Sequence, residues 1–81
     1  MHHKIKLNIN YYEPVAIGDK PFEIRFNDRG YQKGDTVEFV PVHDTGVAVT
    51  GKQRLYGKIT YVLSYHQETN WVVFGFKLDL K

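Results

Sequence analysis

The sequence predicts a small, mainly β domain of the α+β class, with about five strands curled into a sheet or barrel and one short N-terminal helix. Three observations predict it. Apolar and polar residues alternate in several short runs, which is the period of a half-buried strand. Turn signals rich in glycine, asparagine and aspartate separate those runs. Finally, 81 residues, 42% hydrophobic and 15% aromatic, provide one core and no room for a second. Residues 1–81 are therefore expected to form a single domain.

Taken in order, Lys4 to Ile9 alternates imperfectly, with Ile5 and Ile9 on one face and Leu7 between them, and predicts the first strand. Asn10 to Ile17 offers an asparagine cap, Glu13 three residues on, and Gly18 as a stop: a short helix. Pro14 limits it to about two turns, because proline suits only the first helical turn. Phe22, Ile24 and Phe26 then alternate with Glu23, Arg25 and Asn27 in a half-buried strand whose charges point away from its apolar face. Asn27 to Gly30 is turn chemistry, with Asp28 expected to satisfy backbone donors. Lys33-Gly34-Asp35 is a second turn, leading into a strand over Thr36 to Val42 in which Val37 and Phe39 share a face. Residues 43–51 read as a loop with a hairpin tip at Gly46. The longest strand follows, placing Leu55, Gly57, Ile59, Tyr61 and Leu63 on one face and Lys52, Arg54, Tyr56, Lys58 and Thr60 on the other. Ser64 to Asn70 loops back, and Trp71 to Leu80 closes the fold with Val72, Phe74, Phe76, Leu78 and Leu80 in register.

Composition narrows the function classes. Without cysteine there is neither a disulfide nor a thiolate metal site, which fits a reducing compartment. The net charge of +2 permits a phosphate-bearing partner but does not demand one. The first residues contain no long apolar run, so the expectation is a cytoplasmic protein without a signal peptide or a membrane helix. His2, His3, His43 and His66 lack the helical spacing or paired carboxylates that hold zinc, so neither a metal nor a cofactor is expected. Nucleophile elbows, P-loops and dinucleotide-binding glycine runs are absent from the sequence.

The richest segment is Gly18-Asp19-Lys20-Pro21-Phe22-Glu23-Ile24-Arg25. Glu23 and Arg25 stand two apart on a strand and so share a face, roughly 6.5–7 Å apart along the backbone. Lys20 sits just upstream, and Pro21 biases it toward an extended conformation. The spacing thus brings a carboxylate between two cations. On spacing alone, a surface ion pair worth about 0–1 kcal/mol is the favoured account.

The octet matches the G-x-K-x-x-E-x-R motif, and on it the chain resembles the ASCH domain family of the PUA-like superfamily. Tyr11-Tyr12-Glu13, Phe22 to Arg25, Asn27-Asp28-Arg29, Gly34-Asp35, Ile59 to Leu63 and Val72 to Gly75 extend the resemblance over nearly the whole chain. They point to an uncharacterised bacterial and phage branch, which also tends to place a histidine where His3 stands. The resemblance implies a small PUA-like mixed β-barrel with a helix beside a cleft lined by the motif. It implies RNA or nucleotide binding there through Lys20, Glu23 and Arg25, with His3 as a cleft residue. Some small ASCH members resemble hydrolases of acylated cytosine nucleosides, in which Lys20 and Glu23 would be the catalytic pair. Those members tend to carry threonine in place of Glu23 and a longer acidic segment before the last strand, whereas here Glu68 is the sole carboxylate in Ser64 to Asn70.

Other residues extend the site. Arg29 continues a positive rim. Tyr12 and Tyr31 are candidates to stack on a base, worth roughly 1–3 kcal/mol each, and a place at the core edge with a satisfied hydroxyl suits them at least as well. Lys52, Arg54, Tyr56 and Lys58 interleave basic and aromatic side chains, which suits a nucleic-acid backbone and equally suits a solvated strand. The leading expectation is a binding module for RNA or a nucleotide. A small amidohydrolase and an accessory protein-interaction module are the alternatives, and nothing in the sequence specifies a protein partner.

Overall fold

The computed structural model describes residues 1–66 and 70–79. Five strands and one helix follow in the order β1 (His2–Asn8), α1 (Ile9–Ala16), β2 (Phe22–Phe26), β3 (Thr36–Val42), β4 (Leu55–His66) and β5 (Trp71–Leu78). The strands form one mixed sheet in the order β1-β3-β4-β5-β2. β1 runs parallel to β3, while the other pairings are antiparallel. The sheet curls into a half-barrel, with α1 packed on β1 and β3. Among the described residues, no helix is long and apolar enough to cross a membrane.

The core lies on the concave face. β1 contributes Ile5 and Leu7, β3 Val37 and Phe39, β4 Ile59, and β5 Val72, Phe74 and Phe76, with Val15 and Tyr12 added by α1. β1 begins earlier than its alternation suggests and ends at Asn8, because Ile9 already starts the helix. The helix cap is accordingly Asn8, whose side chain accepts from Asn10 N, and not Asn10. Pro14 falls in the second turn, where its missing N–H removes one ladder bond, and the helix stops after eight residues. Gly18, at φ 90°, then turns the chain toward β2.

Two expectations about sidedness are corrected. In β2 it is Glu23 that is buried and Arg25 half-buried, while Phe22, Ile24 and Phe26 are exposed on the outside of the sheet. Alternation defines two faces but does not say which is inner. The register decides it: Glu23 lies opposite Phe74 and Arg25 opposite Val72, so both share the concave face with those core residues. In β4, Ile59 pairs with Phe76 and Tyr61 with Gly75, a two-against-one bulge. Beyond it, Tyr61 and Leu63 swing outward and Val62 packs against the core instead. β4 also runs to His66, into the segment expected to be a loop, and starts only at Leu55, so Lys52 and Arg54 precede it. Leu80 lies outside the described residues.

Gly57 of β4 leaves no room for a side chain against β5. A Cβ there would come within 2.7 Å of the Lys77 carbonyl oxygen and 3.3 Å of Leu78 Cα. Those are backbone atoms, which cannot turn aside. Gly57→Ala is expected to cost about 1–2 kcal/mol through overpacking, read as a lower urea midpoint with an unchanged m-value.

Candidate functional site

Curling brings the two sheet edges, β1 and β2, toward one another without pairing them. Their seam is bridged by side chains. The Arg25 Nη2 donates to the Lys6 carbonyl and the Arg29 Nη1 to the Lys4 carbonyl. Carbonyls on an open strand edge need such partners, so both arginines hold the half-barrel closed as well as charging its rim. Above the seam lies a hollow of about 670 Å³.

Lys20, Glu23 and Arg25 meet at this hollow. The Lys20 ammonium donates to Glu23 Oε1 at 2.7 Å and to the Phe22 carbonyl at 3.2 Å, and it lies about 5 Å from the ring centroids of Tyr11 and Phe22. The Arg25 Nε donates to Glu23 Oε2 at 3.3 Å. Glu23 is only 5% exposed, so its charge is held between two cations in a site largely shielded from water. Lys20 retains one ammonium proton and Arg25 three guanidinium protons beyond these bonds. Lys6 and Arg29 add further positive charge to the wall, and Asp28 and Asp44 add negative charge. Asp44 is itself anchored by the Asn8 side-chain amide at 2.8 Å, fixing the 43–46 turn beside β1.

Tyr31 joins the lining while its ring stays buried against His3 and Phe74, at centroid distances of 4.7 and 4.9 Å. Burial pushes its phenol pKa up, against an opposing pull from Arg29 and Arg25, so the hydroxyl stays protonated at neutral pH.

The remaining sequence candidates are placed otherwise. His3, 3% exposed, sits behind Tyr31 and off the wall of the hollow, with its Nε2 2.8 Å from Asp35 Oδ2. Tyr12 is buried and donates its hydroxyl to the Gln53 carbonyl at 2.7 Å, and its helix neighbour Tyr11 lines the hollow in its place. After β2, it is Asn27 that accepts from the Tyr31 backbone N–H at 3.0 Å, whereas the Asp28 side chain is exposed. On the basic face before and within β4, Arg54 pairs with Glu38 and Lys52 lies 3.6 Å from Glu13. A hydrogen bond from His2 and the Arg54 guanidinium hold the Glu38 pKa below the usual carboxylate range.

Among the participants that escaped the sequence reading are Tyr11, Lys6 and Asp35. Tyr11 and Lys6 line the hollow, and Asp35 is buried beneath it, accepting from His3, the Gln32 backbone N–H and the amino terminus. Only Asp35 had a usable signal, as the residue after Gly34 in a turn that buries its end. Among the described residues, no group of three or more histidine, cysteine, aspartate or glutamate side chains is placed to hold a metal ion.

Residues 2–76 match the family described as a domain of unknown function (DUF3850), and the chain belongs to that family. No curated protein matches it.

Proposed function

We propose that this DUF3850 domain binds an unpaired RNA segment or a nucleotide in the hollow between β1 and β2. The observation that carries this reading is the buried Glu23 carboxylate clamped between Lys20 and Arg25 at the wall of an aromatic-sided hollow. The cations are already oriented by Glu23, so little side-chain entropy is lost when they meet a phosphate. Tyr11 and Phe22 offer faces to a base, and Glu23 keeps lone pairs for an exocyclic amine. The size of the hollow lies within the range of small-ligand sites. The resemblance of Gly18 to Arg25 to the ASCH motif supports the same reading, as does the modest positive charge.

The test is fluorescence anisotropy with a labelled single-stranded RNA, competed by unlabelled mononucleotides. Affinity should fall with added salt. Lys20→Ala should weaken binding roughly tenfold and reduce the salt slope by about 0.7, the value for one lost phosphate contact on a single strand. Lys20 is chosen because Arg25 also closes the seam, so its loss would confound binding with stability. Equal affinity of wild type and Lys20→Ala at every salt concentration would refute the site. Release of free nucleoside from N-acylated cytidine, lost in Lys20→Ala, would instead assign the amidohydrolase alternative to the Lys20–Glu23 pair.

A further inference from the structure

The outer face of β2, β5 and β4 carries a group of large exposed apolar side chains, of which Phe22, Ile24, Phe26 and Trp71 also border the hollow. The register arranges it in three rows across the sheet: Phe26 beside Trp71, Ile24 beside Val73 and Leu63, and Phe22 beside Gly75 and Tyr61. Phe22, Ile24, Phe26, Tyr61, Leu63 and Trp71 are between 41 and 63% exposed. At 150–250 Å² for each large side chain, their open area sums to roughly 600 Å² in one contiguous patch. That is at the upper end of what a lone domain exposes, and patches of this size are often functional.

We infer that this face packs against the same face of a second copy of the chain. The area argues for a copy of itself: two such patches bury about 1,200 Å² in total, the lower bound for a stable complex. A two-fold contact also makes one patch self-sufficient, since the same residues serve both sides. The arrangement of charge fixes the direction. A fourth row, Lys58 opposite Lys77, closes one end of the patch, while the edge-to-face pair Phe26–Trp71 closes the other. Stacking the sheets with strands reversed sets each lysine row over the partner's aromatic row, a cation–π arrangement, and keeps the four lysines apart. Stacking with strands in the same direction would crowd all four, which like charges resist. The Ile24–Val73–Leu63 row then lies over the Phe22–Gly75–Tyr61 row of the second copy, and these two rows form the centre of the contact. Aliphatic side chains at that centre suit a dry protein contact better than a base-stacking platform. Glu23 and Arg25 point to the opposite side of β2, whereas Phe22, Ile24, Phe26 and Trp71 also border the hollow, so the contact runs up to its rim.

Sedimentation equilibrium of the intact chain over a dilution series tests this, with the emission of Trp71, the single tryptophan, as a local reporter. The expected result is a dimer that dissociates on dilution as the Trp71 emission moves to the red. Leu63→Glu and Tyr61→Glu, both at exposed positions, should each raise the dissociation constant roughly thirtyfold or more while leaving the far-ultraviolet circular dichroism unchanged. A monomer at every concentration, or a dimer indifferent to both substitutions, overturns the inference. So does a monomer whose Trp71 emission is quenched by single-stranded RNA in Lys20→Ala but not in Tyr61→Glu, which would make the face a stacking platform.

Discussion

Truncating Phe74 to alanine is expected to remove about 3–5 kcal/mol of stability, the usual cost of emptying a buried aromatic site. The ring is fully buried, 4.9 Å from Tyr31 and 6.3 Å from Phe76 between centroids, and its residue lies opposite Glu23 in β2 and Val62 in β4. It is thus the meeting point of three strands and of the Tyr31 that lines the hollow. A domain this small holds a margin of only about 5 kcal/mol or little more, so the variant should be left with about 2 kcal/mol or less. Urea unfolding followed by circular dichroism measures it. Phe22→Ala and Phe26→Ala make the informative contrast. Those side chains are 41% and 49% exposed, and each substitution should cost under about 1.5 kcal/mol in the monomer. Comparable losses at Phe22, Phe26 and Phe74 would mean that the apolar side of β2 faces the core and that Glu23 does not.

That contrast also marks where the sequence stops being readable. Strand positions are legible because alternation is local: Thr36–Val42 has the bounds its pattern predicts. The face a strand buries depends on its partner. Phe22-Glu23-Ile24-Arg25-Phe26 shows two faces, and only pairing with Val72 and Phe74 makes the charged one inner. The bulge after Ile59 is likewise a property of the β4–β5 pair, so Tyr61 and Leu63 read as core although they lie outside. Lys20, Glu23 and Arg25 come together as their spacing implies, because a short turn and one strand suffice to join them. Tyr11 and Tyr12 differ by one helical step of about 100°, and which of them meets the hollow is set by how α1 docks on β1 and β3. The His3–Asp35 contact spans 32 residues through a parallel pairing that no local pattern announces.

Asp35 is the second position where a single change should be costly. Its carboxylate accepts from His3 Nε2 at 2.8 Å, from the Gln32 backbone N–H at 3.1 Å and from the amino terminus at 3.1 Å. Chiefly through the His3 hydrogen bond, and against the opposing effect of burial, these contacts lower its pKa from 3.8 to about 2. The folded protein therefore binds this proton less tightly than the unfolded chain does. The stabilisation is fully present above pH 4 and is lost as the pH falls toward 2. A depression of that size corresponds to an energy on the order of 2 kcal/mol at neutral pH. Asp35→Asn keeps the shape but cannot carry the charge, so it should lose most of that amount at pH 7. Because the Glu38 pKa is also lowered, the diagnostic quantity is the difference between the two proteins and not the wild-type acid limb alone. Stability of wild type and Asp35→Asn should differ by about 2 kcal/mol at pH 7 and converge near pH 2. A constant gap across that range would mean that Asp35 acts through packing and not through its charge. Convergence would tie the β1–β3 junction behind Tyr31, and with it the footing of the hollow, to one ionised carboxylate.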